Sequence, residues 1–189
     1  MNTLALHLLD LLNNSYRSGA DTVKLEITEY IKESVCFIDL SDNGQGMSDE
    51  ILLQAGQPLF STKQTGRNGM GLPLALQHAE ATGGYLKLIS QEGKGTRLQI
   101  LFNTRSEAML PWGDVTEILA MCITSYPRQD LIYTHYVQGN CFHTSSKLLK
   151  AMFQQENLPT VENIRAIRKY LTLHERQLNE YKRTISTIL

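Results

Sequence analysis

Three glycine-bearing clusters constrain what this chain can fold into more than any other feature. Residues 42–46 read Asp-Asn-Gly-Gln-Gly, residues 69–71 read Gly-Met-Gly, and residues 93–96 read Gly-Lys-Gly-Thr. Glycine lets a backbone turn tightly and approach other groups closely. A glycine loop that leads into a helix also presents free N–H groups to an anion. The clusters therefore predict loops that gather around a negatively charged ligand.

The spacing of apolar residues predicts the elements that carry these loops. Leu4, Leu8 and Leu11 recur at helical spacing, and Gly19 ends that helix. Short helices are expected at 48–54 and 72–82, the second opened by a proline and closed by two glycines. Strands are expected where apolar and polar residues alternate, near 23–27, 35–39, 85–90 and 97–102. The order of these elements predicts an α+β fold, with a mostly antiparallel sheet and helices on one face.

Beyond a boundary near residue 104, the sequence predicts a C-terminal α/β appendage at 105–189. It comprises a helix, a hairpin that turns at 138–140, a short helix and a long terminal helix from about residue 160. The long helix has apolar or aromatic residues at spacings of three and four, which is typical of a coiled coil. These residues are Ile164, Ile167, Leu171, His174, Leu178, Tyr181, Ile185 and Ile188. A homodimer through this helix is the hypothesis, and packing on its own domain is the alternative.

Composition excludes several classes of function. The chain has 189 residues, 18 basic and 19 acidic, and it lacks the basic excess of nucleic-acid-binding proteins. No stretch approaches the roughly 18 consecutive apolar residues that span a bilayer. The beginning of the chain does not read as a signal peptide, and three cysteines show no disulfide spacing. We therefore expect a cytoplasmic protein without a nucleic-acid or membrane partner.

Five short motifs in order give the chain a resemblance to a known family. The sequence resembles the Bergerat-fold, or GHKL, superfamily over about residues 4–102, and most closely its small histidine-kinase-like ATP-binding proteins. The resemblance implies a Bergerat-type α/β sandwich over 1–104 that binds Mg-ATP. The motifs are similar to the asparagine-bearing helix (9–15), the first glycine box (42–47), the phenylalanine box (58–63), the second glycine box (69–72) and the last glycine box (93–96).

The resemblance implies a role for individual residues. Asn14 would offer its side-chain oxygen to Mg²⁺, which prefers oxygen ligands. Asp42 would accept the adenine amino hydrogens, and Thr96 is similar to the threonine that supports this aspartate by hydrogen bonding. The residues implied to contact nucleotide are Asn14, Asp42, Gly44, Gly46, Met47, Lys63, Gly69, Met70, Gly71, Leu72 and Thr96.

Each of these residues also has a plainer interpretation. Asn14 would be a polar residue near a helix end, and residues 42–46 would be a tight turn. Thr96 would be an ordinary strand residue, and Lys63 a solvated charge in a loop. His135, Cys141 and His143 share the predicted hairpin, but they lack a fourth ligand and chelating spacing. We therefore interpret these three residues as hairpin surface and not as a zinc site.

Asp10 distinguishes two classes of function. It lies one helical turn before Asn14, where ATP hydrolases of the resembled family usually carry a glutamate as general base. As a base, Asp10 would support ATP hydrolysis or phosphoryl transfer to a protein, and the chain would be an ATPase or a protein kinase. As a solvated carboxylate, it would leave a non-catalytic, ATP-gated module that switches a protein partner. Arg17 lies on the same helix face, where we expect it either to reach a phosphate or to pair with Asp10. His7 lies near that face, and we interpret it as a structural histidine.

Overall fold

A computed structural model describes residues 3–55, 71–153 and 160–188. No helix in these ranges is both long and apolar enough to cross a membrane. The elements in chain order are α1 (Leu4–Arg17), β1 (Thr22–Tyr30), β2 (Val35–Asp42), α2 (Asp49–Ala55), α3 (Gly71–Ala81), β3 (Tyr85–Gln91), β4 (Gly95–Asn103), α4 (Val115–Ser125), β5 (Asp130–Val137), β6 (Asn140–Ser145), α5 (Ser146–Phe153) and α6 (Val161–Ile188).

The described strands form one six-stranded sheet in the order β3-β4-β2-β1-β5-β6. Four of the neighbouring pairs are antiparallel, which confirms the predicted fold class. The exception is β5, which lies parallel to β1 with Leu131 beside Val23. A parallel pair needs a long crossover, and the elements between β1 and β5 provide it. The division near residue 104 stays a prediction, and the sheet continues across it.

One face of the sheet is buried under helices. In β1, Val23, Leu25 and Ile27 are each no more than 1% exposed, whereas Lys24 and Glu26 between them are exposed. This period of two is the pattern of a strand with one covered face. Helices α1, α3, α4 and α6 cover that face and share a single hydrophobic core with it. The predicted arrangement of helices on one face is confirmed.

The chain after residue 104 holds α1 in place. The first two residues of α1 donate their backbone N–H groups to the carbonyl oxygens of Pro111 and Trp112, at 3.0 and 2.9 Å. Near the other end of α1, the rings of Tyr16 and Tyr126 stack with centroids 4.0 Å apart. The Tyr126 hydroxyl donates to Oδ1 of Asn13 at 3.1 Å. Both ends of α1 are thus braced by the C-terminal part of the chain.

The apolar seam of α6 faces the interior of its own chain. Ile167 and Leu171 are 0% exposed, and Leu178 is 6% exposed. His174 stacks on Phe142 of β6 with ring centroids 4.6 Å apart. A coiled coil through this seam is therefore wrong, because these side chains already pack against α4 and the sheet. A homodimer through the same residues would require α6 to leave its own domain.

The predicted hairpin is confirmed as β5 and β6, but its histidines point to opposite faces of the sheet. His135 faces the helices and is only 5% exposed. His143 is exposed and its Nδ1 lies 2.9 Å from the Thr134 hydroxyl. Interpreting His135 as a surface residue was wrong, because α6 covers this part of β5. Since the sheet separates His135 from His143 and Cys141, the three cannot share one zinc ion.

Candidate functional site

Helix α1 positions the two residues that the sequence predicts to lie nearest the phosphates. Thr3 caps the helix and accepts the N–H of Leu6 at 3.4 Å. The buried side of the helix is apolar, so its register in the core is fixed. Asp10 and Asn14 lie one turn apart on the side of the helix that faces away from the core. Asp10 is half-buried there and Asn14 is exposed.

The carboxylate of Asp42 is held at the end of β2 by hydrogen bonds. Ser15 Oγ donates to Oδ2 at 2.7 Å, and the backbone N–H of Gly44 donates to Oδ1 at 3.0 Å. Ser18 Oγ lies 3.4 Å from Oδ1 but also 2.8 Å from the Ser15 carbonyl oxygen, where its hydrogen goes to the closer acceptor. The side chain is half-buried. These hydrogen bonds fix the orientation of the Asp42 carboxylate, which lies at the end of β2 beside α1.

Glycines of the first box are required where the backbone passes close to other atoms. A Cβ at Gly44 would lie 1.9 Å from Ser18 Oγ. At Gly46, where φ is +65°, a Cβ would lie 2.0 Å from the Gln91 carbonyl oxygen. The first box thus packs against the end of α1 and the turn between β3 and β4. Met47 follows in the same loop and is half-buried.

Thr96 does not support Asp42 through a direct hydrogen bond. The two residues lie opposite each other in the β2–β4 pair, as the motif requires. The Thr96 hydroxyl, however, lies 2.9 Å from Ser90 Oγ and is hydrogen-bonded there. The implied supporting role is corrected: Ser15 and the Gly44 N–H hold the aspartate. Sequence reasoning missed Ser15 as a site residue, although it follows Asn14 directly and its hydroxyl donates to Asp42.

Helix α3 begins against Asp10. The backbone of Gly71 comes so close to α1 that a Cβ there would lie 3.1 Å from the Asp10 Cβ. Leu72 follows and is half-buried. Three predicted contact residues, Lys63, Gly69 and Met70, lie outside the described residues. The structure therefore brings together Asp10, Asn14, the Asp42 box and the beginning of the helix that follows the second glycine box.

The protein environment shifts the acidity of Asp10. Burial raises the pKa of this carboxyl above its usual value, and the positive charge of Arg17 partly opposes the shift. Above that pKa the side chain is a carboxylate that can accept a proton. A raised pKa makes it a stronger base than a solvated aspartate, which is the property that general-base catalysis needs.

A pair of histidines joins α1 to α3 one turn before Asp10. His7 Nε2 and His78 Nδ1 are 2.6 Å apart, and the rings meet edge to face. Burial, with a contribution from His78, lowers the pKa of His7 to about 4. Both rings are therefore neutral near pH 7, and one donates to the other. The structural interpretation of His7 stays a prediction, since its Nδ1 is buried without a hydrogen-bond partner among the described residues.

Comparison with known families identifies the origin of this arrangement. The family model described as Histidine kinase-, DNA gyrase B-, and HSP90-like ATPase matches residues 2–106, more than half of the chain. The chain belongs to this family. Its GHKL domain runs from α1 to just past β4 and includes all five motifs. The protein therefore carries an ATP-binding domain of the GHKL superfamily.

The chain is also similar to part of several bacterial kinases. The chain is 31% identical over 107 residues to Sporulation kinase C of Bacillus subtilis, a match that covers 57% of this chain and 25% of that protein. It is 35% identical over 95 residues to Sensor protein kinase FleS of Pseudomonas aeruginosa, covering 50% of this chain and 23% of that kinase. The matched segment is thus about a quarter of either relative.

A solved structure shares the fold over a longer stretch. The N-terminal domain of a DNA repair protein matches with a TM-score of 0.51 at 14% identity. The match covers 81% of this chain and 57% of that chain. At this identity the likeness concerns the fold alone.

Asn14→Ala is expected to weaken the magnesium-dependent part of ATP binding and to leave the fold intact. Asn14 is exposed, so its loss removes no core contact. We expect Asn14 to be a direct oxygen ligand of the ion. Its loss should then reduce the affinity gained on adding Mg²⁺ by about tenfold or more, since losing a residue that only supports a ligand costs about 10–100-fold. Titration calorimetry with and without Mg²⁺ measures it. Asn13→Ala is the matched control, since that amide faces Tyr126. Equal magnesium dependence in both variants and the wild type would remove Asn14 from the role.

Proposed function

We propose that the protein binds Mg-ATP at this site and cleaves it, by hydrolysis or by phosphoryl transfer to a protein. The observation that carries the proposal is the placement of Asp10. Its half-buried carboxylate lies one turn before the exposed amide of Asn14 and directly against Gly71 at the beginning of α3. The proposal assigns these three neighbouring positions to a base, a metal ligand and a phosphate-binding helix N-terminus.

Each part of the site has a role in the proposal. Asp42 accepts the adenine amino hydrogens, and the free N–H groups at the beginning of α3 face the phosphates. Asp10 accepts a proton from a water molecule whose oxygen attacks the γ-phosphorus, and ADP leaves. The residues assigned to nucleotide contact are Asn14, Asp42, Gly44, Gly46, Met47, Lys63, Gly69, Met70, Gly71 and Leu72, with Thr96 stabilising the neighbouring turn.

The donor set fits magnesium. Mg²⁺ prefers hard oxygen ligands and keeps several waters, so one protein oxygen beside the phosphates is enough. The exposed amide of Asn14 provides such an oxygen without adding negative charge next to the triphosphate. When bound, the ion would neutralise charge on the phosphate oxygens. Asn14 is the residue that we assign to hold it.

Asp10→Asn is expected to lower the rate of phosphate release by roughly two orders of magnitude, the usual scale of a lost general base. In the wild type the rate should rise with pH through the raised pKa of Asp10, because only the carboxylate accepts a proton. The variant should lose this dependence. Release of phosphate measured across a pH series tests both points.

Two further variants sharpen the Asp10 experiment. Asp10→Glu restores the longer side chain usual in hydrolases of the family and should retain turnover. Asp21→Asn removes an exposed carboxylate beyond the end of α1 and should change nothing. Turnover by Asp10→Asn equal to that of the wild type would exclude Asp10 as the base.

A second candidate is an ATP-gated module that switches a protein partner without turnover. The observation in its favour is the bracing of α1 by Trp112 and Tyr126. If α1 shifted on nucleotide binding, these contacts would transmit the movement directly to the C-terminal part of the chain. Incubation with Mg²⁺ and γ-labelled ATP distinguishes the candidates. Free labelled phosphate indicates hydrolysis, labelled protein indicates transfer, and label that stays on ATP excludes cleavage and favours the switch.

We also propose that the protein acts in the cytoplasm and on a protein partner. Its three cysteines are free, and two of them, Cys36 and Cys122, are buried. Free thiols persist in a reducing compartment. The near-neutral charge balance offers nucleic acid no attraction.

A further inference from the structure

A second cleft, formed by residues other than those of the nucleotide site, opens between α6 and the segment that leads into α4. Its volume is about 1310 Å³. Glu29 of β1 and His135 of β5 contribute to its floor, Trp112 lies on one wall, and α6 from Arg168 onward forms the other. Sites for small molecules usually measure roughly 300–1,000 Å³. The size of the cleft therefore favours a peptide segment.

The floor of the cleft satisfies its own charges. His135 Nδ1 donates to Glu175 at 2.8 Å, and its Nε2 donates to Glu29 at 3.2 Å. The other oxygen of Glu29 accepts from Lys182, and that of Glu175 accepts from the Tyr133 hydroxyl at 2.8 Å. Burial lowers the pKa of His135, but its hydrogen bonds to Glu175 and Glu29 outweigh this and raise it to about 9. The positive charges of His135 and Lys182 thus balance the negative charges of Glu29 and Glu175. A ligand must therefore be held by the residues around the opening of the cleft, which we call the rim.

The rim presents hydrogen-bond donors that have no partner. Arg176 and Arg183 are exposed on α6 and form no ion pair with any described residue. The indole N–H of Trp112 and the amide of Asn179 also line the cleft without a hydrogen-bonded partner in the described part of the chain. Asp114 and Glu180 are the acidic residues beside this rim. Asp114 is paired with Arg168, so Glu180 leaves the two arginines with an excess of one positive charge. By contrast, the guanidinium of Arg168, nearer the beginning of the same helix, is already paired with the carboxylate of Asp114 at 2.6 Å.

The spacing of the two arginines indicates what would bind. Arg176 and Arg183 are seven positions apart on the α-helix, which is two turns and about 10 Å along the axis. At this spacing each guanidinium group can pair with an acidic group of its own. Two acidic residues two turns apart on a partner helix match the spacing, and arginine pairs with carboxylates in a bidentate geometry.

We propose that this cleft docks an acidic peptide segment of a protein partner, with carboxylates on Arg176 and Arg183 and an apolar side chain against Trp112. The acidic groups supply the charge that the rim lacks. The self-satisfied floor provides a rigid base without competing for the ligand. The partner's segment would lie along α6, next to the residues that brace α1.

The probe is a fluorescein-labelled poly-glutamate peptide of about ten residues, long enough to cover two helical turns with flanks. Fluorescence anisotropy with the full chain should show saturable binding that weakens as NaCl rises from about 50 to about 200 mM. Arg176→Ala with Arg183→Ala should weaken binding at least about tenfold, the scale of losing charge-assisted hydrogen bonds. Arg165→Ala with Lys169→Ala is the matched control, because it removes two exposed charges of α6 outside the cleft and should cost less than about twofold.

Three outcomes would overturn the proposal. They are the absence of saturable binding, an equal loss in both double variants, and competition by citrate as effective per mole as the unlabelled peptide. The last result would indicate a small-molecule site in place of a docking cleft. ATP binding by the Arg176→Ala, Arg183→Ala variant should equal that of the wild type, which shows that the variant is folded and separates this test from the nucleotide site.

Discussion

Asp42→Asn should weaken ATP binding by at least about a hundredfold, the combined cost of a lost hydrogen bond and an unsatisfied donor. The structure fixes which way the new amide would point. The Gly44 N–H can only donate, so the amide oxygen must stay on that side. The amide NH₂ then replaces Oδ2 beside Ser15. An adenine amino group approaching Oδ2 would meet a donor where it needs an acceptor.

Titration calorimetry of ATP binding measures this effect. Asp39→Asn is the matched control, because Asp39 lies on the same strand but on the open face, where it pairs with Arg97 at 2.7 Å. That control should bind ATP as the wild type does. Undiminished affinity in Asp42→Asn would remove Asp42 from the adenine pocket.

Leu171→Glu with Leu178→Glu should abolish cooperative folding. Each side chain is almost fully buried between α6 and the rest of the chain. Each change loses about 2–3 kcal/mol of apolar burial and adds a further cost of several kcal/mol for an unpaired carboxylate in the core. The sum for two sites approaches the whole stability of a typical domain, about 5–15 kcal/mol. A thermal melt followed by circular dichroism should show no cooperative transition.

The control for that experiment changes two exposed apolar residues of the same helix. Leu173 is 54% exposed and Val161 is 63% exposed. Leu173→Glu with Val161→Glu should melt close to the wild type, since surface substitutions usually change stability by no more than about 0.5 kcal/mol. A folded Leu171→Glu, Leu178→Glu variant that is monomeric, beside a dimeric wild type, would mean that the seam joins two chains after all.

The sequence predicts the nucleotide-binding half well because its signals are local. Leu4, Leu8 and Leu11 show the period of a buried helix face, and the glycine boxes mark turns that only glycine fits. The fold class, the order of elements and the hairpin of β5 and β6 all follow from such patterns. Asp10 and Gly71 are far apart in sequence, yet the order of the motifs predicts that they belong to one site.

What the sequence does not predict depends on contacts between distant residues. The pairing of β5 with β1 and the burial of His135 under α6 are set by packing that no local pattern encodes. The spacing of Ile167, Leu171 and Leu178 suits a coiled coil and an intramolecular contact equally, and only the tertiary structure distinguishes them. The replacement of Thr96 by Ser15 as the support of Asp42 is likewise a matter of geometry, since both hydroxyls lie near the end of β2.

A crystal structure of the protein with Mg²⁺ and a non-hydrolysable ATP analogue tests the binding site most directly. The adenine amino nitrogen should lie about 3 Å from a carboxylate oxygen of Asp42. The side-chain oxygen of Asn14 should lie about 2.1 Å from the metal ion, and the phosphates should face the beginning of α3. A nucleotide bound elsewhere, or an adenine ring that does not contact Asp42, would contradict the site described above.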